Sequence, residues 1–563
     1  MTDYSIYADF LARLQAATSQ EEKSWMLMEF SFNQLSPTMR EAVWAAAIPH
    51  QFDEKFLRTL LENNLTAEDW KTLLSQSYLE HLWNGGYAVH ESTRKLLLAK
   101  LFQDDPQRYR ELNRRAANYC EQQNQEELRW RVATLYHQAL ANLEGIAFKI
   151  NNQASDWHND RFQLDKVEAL IRPLLEEVKA QRVSDAVTAQ VFLFQGVLDD
   201  FYGRPFKVKE YLTQATQLFQ QLQDEPNEAE SIFRLGVVHL NLAEYKAAWA
   251  QVQQALFLFQ QIGDKRGEAN CIISLGDVYL MLSDYETALT QYQQALPLFQ
   301  QMGDKRGEAN CIISLGDVYL MLSDYEAART QYQQVLPLFQ QIGDKRTEAY
   351  CVRQLAQVLA EQGQIEEAIH TLQHAAELYH TIGSVVNEAG CFKRIANIYH
   401  DQKRYEDALL AYQQAIDIYP NSAWWYTDRA QIYIDTDKYK LAIQDVEKIT
   451  ELNPNDPYIL LHRGVIALWQ HQPQIAVDLL QSATQQRPKD GGFQRILALA
   501  LLANGNSEAF ATMETGLKLT YRKKDIERTL EELDKLVRIY GERAEFTQMR
   551  EVLTNYLNQH FQH

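Results

Sequence analysis

The stretch GDKRGEANCIISLGDVYLMLSDYE fills Gly263–Glu286 and recurs letter for letter at Gly303–Glu326. The offset is forty residues, and a fixed period of that size marks an architecture of stacked units. Gly196, Gly236, Gly276, Gly316, Ala356 and Ala396 form one column at that step. Tyr245, Tyr285, Tyr325, Ile365 and Tyr405 form a second, with Ala248, Ala288, Ala328, Ala368 and Ala408 three residues on. Small residues at one place and rings at another describe two helices in close approach, with aromatics filling the spaces between layers. After Asn387 the period contracts, since Pro420, Pro454 and Pro488 are thirty-four apart. This gives five long units over 187–386 and four short ones over 387–520, the last of them degraded. Pro297 and Pro337 fall inside second helices, where proline costs ~3 kcal/mol. The apolar phase runs on past both, which predicts a kinked helix and no break.

Within one unit Leu275-Gly276, Tyr279, Ala288, Tyr292 and Ala295 follow a pattern that resembles the tetratricopeptide repeat (TPR). The forty-residue units joined by GDKRGEA are similar to those of Pins-type spindle-orientation adaptors, kinesin light chains and bacterial Rap regulators. The resemblance implies an all-α, right-handed superhelical solenoid whose first (A) helices line a concave groove that holds a protein or peptide. With Leu275-Gly276 as seventh and eighth positions, the second, fifth, ninth, twelfth and thirteenth face inward, the last two being Leu280 and Met281, then Leu320 and Met321. The first three yield Asn270, Ile273 and Asp277, then Asn310, Ile313 and Asp317, then Arg353 and Gln357, Lys393 and Asn397, and Trp424 and Gln431. Tyr458, Leu461, Val465 and Trp469 continue the strip, so the groove is expected to run from acidic-apolar through basic to aromatic. Lys393 and Asn397 also match the first helix of carboxylate-clamp TPRs. Asp428 and Leu461 stand where that clamp needs Asn and Lys, so the clamp is rejected.

The N-terminal text differs. Residues 1–34 read as amphipathic helix, with Tyr7, Phe10, Leu11 and Leu14 on one face and Trp25, Met28 and Phe32 on another. Ser36-Pro37 is a cap followed by proline at the first helical position. Helices are expected from there to Pro49, over Asp53–Leu61 and over Glu68–Ser77. Tyr78–Trp83 and Tyr87–His90, joined by Asn84-Gly85-Gly86, read as a hairpin, and Ser92–Phe102 as a helix. LSPTMREAVWAAA and GGYAVHESTRKLLLAKL within 35–140 resemble the winged-helix domain of STAND signalling ATPases. There is no GxxxxGK[ST] to hold a nucleotide, so the resemblance implies a sensor half whose ATPase or effector partner is encoded on another chain. Residues 141–186 read as helical linkage, irregular near Asn151–Asp160, and 521–563 as two helices capping the end of the stack.

Composition narrows the function classes. A formal net charge of −20 argues against a surface for nucleic acid over the whole molecule. A transcriptional regulator is the alternative reading, with Arg94, Lys95, Lys100, Arg108, Arg110, Arg114 and Arg115 as the basic set for DNA. No apolar run reaches the ~18–20 residues of a membrane span and no secretory signal is read, so the expectation is a cytoplasmic protein. Cys271, Cys311, Cys351 and Cys391 recur every forty residues, as small buried side chains do, and with Cys120 show no zinc spacing. HESTR at His90–Arg94 ends in Arg where a two-histidine zinc face needs His. No catalytic residue, metal or cofactor is assigned. The reading is a non-enzymatic scaffold or sensor that relays groove binding through the N-terminal domain to a signalling or defence partner. An enzyme with an unrecognised site is the third alternative.

Overall fold

A helix needs a start and a stop, and the repeated GDKR text supplies both. In the computed structural model, which describes residues 10, 13–83, 85–159, 163–520 and 522–561, helix Tyr245–Ile262 ends at Gly263 with φ 76°. That left-handed geometry favours glycine. Asp264 then caps helix Lys265–Met281, accepting from the amides of Arg266 and Gly267 at 3.0 Å. The Arg266 guanidinium reaches Asp304, the equivalent aspartate one period on, at 2.6 Å, and Arg306 stands 3.7 Å from Asp344. One short motif thus ends a helix, begins the next and ties neighbouring turns together.

The glycine column has a steric cause. A Cβ at Gly276 would stand 2.5 Å from the Tyr292 ring, and one at Gly316 2.8 Å from that of Tyr332. Both tyrosines are fully buried. Helices Tyr285–Met302 and Tyr325–Ile342 run through Pro297 and Pro337 without a break. Helix Leu164–Lys179 does the same at Pro173. All five cysteines are buried; burial pushes the thiols of Cys120 and Cys351 up to about 12 and that of Cys391 to about 11.

The chain divides into two compact units, Met1–Lys305 and Arg306–His563. The first opens with helices Gln20–Asn33, Pro37–Ala47, Glu54–Leu60 and Ala67–Leu74. Ser36 caps the second of these with Pro37 at its first position. An antiparallel hairpin follows, Leu79–His81 with Tyr87–Val89, and then helix Glu91–Asp104. Tyr7, Leu11 and Asn84 lie outside the described residues. Helices Pro106–Glu121, Leu128–Leu140 and Ile146–Asn159 come next. The last of these corrects the expectation of irregular chain from Asn151. Ile150, Ala154 and Trp157 are buried at helical spacing, and that stripe sustains the helix; Asp160 is outside the described residues. After Leu164–Lys179 come the pairs Asp185–Phe201 with Pro205–Leu222, Glu225–Asn241 with Tyr245–Ile262, and Lys265–Met281 with Tyr285–Met302.

In the second unit the pairs continue. Lys305–Met321, which begins at the division, is followed by Tyr325–Ile342, and Lys345–Glu361 by Ile365–Thr381. Val385–Asp401 precedes Tyr405–Ile418, Ala423–Asp435 precedes Tyr439–Leu452, and Pro457–Trp469 precedes Pro473–Gln486. Gly491–Ala503 with Ala509–Lys518 is the last pair, before helices Lys523–Tyr540 and Ala544–His560. The fold is an all-α solenoid, and among the described residues the two-stranded hairpin is its only sheet. No described helix is long and apolar enough to cross a membrane.

Candidate functional site

Positions three to four apart share one face of a helix, so each A helix presents a short strip of the residues singled out above. On Lys265–Met281, Asn270, Ile273 and Asp277 are all half-buried. The Tyr292 hydroxyl of the following helix donates to Asp277 Oδ1 at 2.6 Å. On Lys305–Met321, Asn310 is exposed and Ile313 buried. Asp317 accepts from Tyr332 at 2.5 Å, Tyr350 at 2.9 Å and the Gln354 amide at 3.4 Å. Burial holds its carboxyl above the ordinary range while those hydrogen bonds pull the other way. The two aspartates read as a ledge for a partner thus carry bonds inside the repeat stack.

The next two A helices behave differently. Arg353 and Gln357 on Lys345–Glu361 and Lys393 and Asn397 on Val385–Asp401 line a single cavity of about 500 Å³. The Arg353 guanidinium lies 5.2 Å from the Tyr350 ring centroid and 5.9 Å from that of Tyr379. Its Nη1 donates to Asn387 at 3.4 Å, and its buried Nε has no hydrogen-bond partner. Lys393 pairs with Asp428 at 3.1 Å and sits 5.9 Å from the Trp425 ring centroid. Asn397 accepts from the Tyr412 hydroxyl. A third cation, Arg394, donates to Gln357 at 2.5 Å. Burial, and then the like charge of Arg353, hold it below the usual arginine range.

Farther along, Trp424 is 56% exposed, with its ring centroid 6.4 Å from that of Tyr458. Gln431 donates to Asp435 at 2.8 Å. The expected open strip ends here. Leu461, Val465 and Trp469 share one core with Ile526, Leu533 and Leu536 of helix Lys523–Tyr540, so the chain's own helix covers that stretch of the A-helix face. Lys524 reaches Asp401 at 3.4 Å, Glu531 accepts from Lys403 at 2.8 Å, and Arg528 lies 3.3 Å from Asp435. Lys535 is 2.5 Å from Asp437, and the Tyr540 hydroxyl donates to the Leu468 carbonyl at 2.7 Å. The amphipathic stripe of this helix folds back along the pairs before it.

Arg394 and Gly390 were missed in the inward strip, and the columns carried a signal for both. The second position reads Asn270, Asn310, Tyr350 and then Gly390; the sixth reads Ser274, Ser314, Gln354 and then Arg394. In one unit the column loses its side chain and the other gains a cation. Both residues line the cavity.

Residues 228–301, 268–341 and 346–421 match one tetratricopeptide-repeat family model, and residues 399–461 match a second. These units are tetratricopeptide repeats. Their A helices carry the cavity, which spans two successive TPR units. No curated protein matches the chain. Among solved structures it is similar to a Signal Transduction ATPase with Numerous Domains (STAND) protein with a tetratricopeptide repeat sensor from Pyrococcus horikoshii. That match has 16% identity and a TM-score of 0.47, and covers 78% of this chain and 66% of the other. A Rap protein complexed with competence and sporulation factor matches at 13% identity and TM-score 0.41, over 65% of this chain and 96% of that one. Aspartyl phosphate phosphatase F from Bacillus subtilis matches at 12% and 0.41, over 64% and 91%. The chain thus spans just under two thirds of the STAND protein's length. All three scores lie below 0.5, so the TPR assignment rests on the family models.

Proposed function

We propose that the chain is a non-enzymatic scaffold or sensor whose open A-helix face receives a segment of a partner protein. In this reading residues 35–140 act as a winged-helix-like domain that passes the event to a signalling or defence partner, an ATPase or effector on a separate chain. The observation that carries it is the cavity: Arg353, Gln357, Lys393 and Asn397, from two repeats, converge on about 500 Å³ of open space. Such convergence of a few polar groups on a concave wall suits recognition of an extended or helical segment. Trp83, 99% exposed beside the hairpin turn, offers the relay domain an aromatic contact of the kind that anchors interfaces.

The transcriptional alternative draws little support. Arg94 is buried and donates to the carbonyls of Ile48 and Pro49. Lys95, Lys100, Arg114 and Arg115 each pair with a carboxylate at 2.8 to 3.5 Å, and Arg108 pairs with Glu41. Basic groups already engaged on the protein are poorly placed to neutralise phosphates, and the exposed Arg110 is by itself a small footprint for them.

Photo-crosslinking in cells tests the groove. Benzoylphenylalanine in place of Asn397 is expected to trap a partner. In place of Leu410, 68% exposed on the second helix of the same unit, it is expected to trap none. Equal trapping at both positions sinks the reading.

A further inference from the structure

Gly390 stands apart from the other glycines inside helices. A Cβ added at Gly236, Gly276, Gly316, Gly464 or Gly516 would meet another atom at 2.5 to 2.8 Å. One added at Gly390 would meet nothing within 4 Å. Glycine within a helix is destabilising relative to alanine, so at Gly390 that loss is taken without a packing reason. What the missing side chain leaves is room, and the room belongs to the cavity walled by Arg353, Lys393 and Arg394.

The charges around that room are unbalanced. Lys393 has Asp428. Among the described residues no carboxylate oxygen lies within 4.0 Å of the Arg353 or the Arg394 guanidinium. The Asp317 carboxylate acts on Arg353 from farther off, which leaves Arg394 the less compensated of the two. Enclosed cations without a close counter-charge are costly, and a bound anion would remove that cost. Glu361, exposed at the wall, is the only acid among the lining residues. Gln357 and Asn397 add amide groups, which can both donate to and accept from a peptide main chain.

We propose that the Gly390 cavity is an anion pocket for a glutamate or aspartate side chain on the partner segment, its carboxylate bridging Arg353 and Arg394. The proposal rests on the groove reading above and supplies its specificity. The chain already pairs charges at the edge of this face. Its own helix Lys523–Tyr540 places Glu531 against Lys403, and Lys524 against Asp401 of the very helix that carries Gly390.

The test pans a phage-displayed random dodecapeptide library on the full-length protein, then titrates the best peptide and its Glu/Asp-to-Gln/Asn counterpart by calorimetry. Acidic residues are expected to be enriched, and the amide counterpart to bind about tenfold or more weakly, as loss of a charge-assisted hydrogen bond gives. Arg394→Gln is expected to weaken the acidic peptide about tenfold and leave the amide counterpart unchanged. Gly390→Leu fills open space, so it is expected to keep or raise its melting temperature and lose the acidic peptide. Inorganic phosphate is the second arm. If phosphate competes at concentrations where the peptide gains nothing over it, the site takes small anions and the proposal falls. It falls too if enriched peptides show no acidic excess, or if Arg394→Gln does not separate the two peptides. Neutral peptides that bind and compete with crosslinking at position 397 would remove the anion pocket while leaving the groove reading intact. No trapping at position 397 removes the groove reading.

Discussion

Two stretches of A-helix face within Arg306–His563 meet different fates. Over Pro457–Trp469 and Gly491–Ala503 the chain's own helix Lys523–Tyr540 covers the face; over Lys345–Glu361 and Val385–Asp401 the face stays open around its cavity. The covered stretch has an apolar centre, Leu461, Val465 and Trp469 against Ile526, Leu533 and Leu536, and ion pairs at its edge. The open stretch sets Arg353, Lys393 and Arg394 into the wall of its cavity beside smaller apolar patches from Ala356, Leu372 and Ile398. Apolar burial contributes about 25 cal/mol per Å², whereas exposed ion pairs contribute about 0–1 kcal/mol. The first kind of contact makes an occupant part of the fold. The second selects an occupant and lets it leave.

The largest expected effect tests the covered side. Leu533 is fully buried, and Leu533→Ala should cost about 2–5 kcal/mol, read as a shift in a urea-unfolding midpoint of the whole chain. Arg394→Ala, on the open side, should leave stability unchanged or raise it, because it removes an enclosed charge with no carboxylate partner. Equal losses at the two positions would show that the open stretch is as much core as the covered one.

The repeat architecture was legible because its determinants are local and periodic. Gly263, Asp264 and Gly276 each do their work within a turn or one adjacent helix, so a column of letters reveals them. The candidate site was legible in part. Arg353, Gln357, Lys393 and Asn397 follow from helical position alone, and they do meet at one cavity. Position could not foretell that Asp277 and Asp317 spend hydrogen bonds on Tyr292 and Tyr332, since the bond depends on tyrosine reach between two helices. Nor could it show that Leu461, Val465 and Trp469 are covered. The covering helix begins about sixty residues later in the chain than the first of them, and amphipathic stripes do not name the surface they pack on.

His462 on the covered side and Asp317 on the open side should answer acid with opposite sign. Burial lowers His462 to about 4, with Asp435 raising and Arg528 lowering it further in turn. The unfolded ring, near 6.5, binds more protons than the folded one between pH 6.5 and 4. Stability from the neutral ring is therefore full above 6.5 and falls as pH drops toward 4, by at most about 1.4 kcal/mol per pH unit. Asp317, hydrogen-bonded to Tyr350 and Gln354 on the first helix of the open stretch, has its carboxyl raised chiefly by burial. A raised carboxyl binds more protons folded than unfolded, so its contribution grows as pH falls. Burial raises the Glu532 carboxyl on the covering helix as well, so the His462 response is read by difference. Hydrogen exchange at pH 7.5 and pH 5 should show helix Lys523–Tyr540 losing more protection at the lower pH in the parent than in His462→Gln, while Lys345–Glu361 keeps or gains protection. His462→Gln should flatten the first response. Parallel loss in both helices would mean that acid acts on the whole unit.

The smallest effect separates the stretches by sign. Gly464, on the covered side, would place a Cβ 2.6 Å from Leu480 Cγ, a fully buried side chain held near its base. Gly464→Ala should therefore destabilise, by about 1–3 kcal/mol as overpacking does. Gly390→Ala puts the same methyl group into open space. Only the helix propensity of alanine remains there, and stability should rise by about 0.5–1 kcal/mol. Thermal unfolding of both variants against the parent measures the pair under one condition. A loss at both positions would mean that the space above Gly390 closes in solution. A gain at Gly390 and a loss at Gly464 would show that one helix gives up stability for an opening while the other uses its glycine to pack.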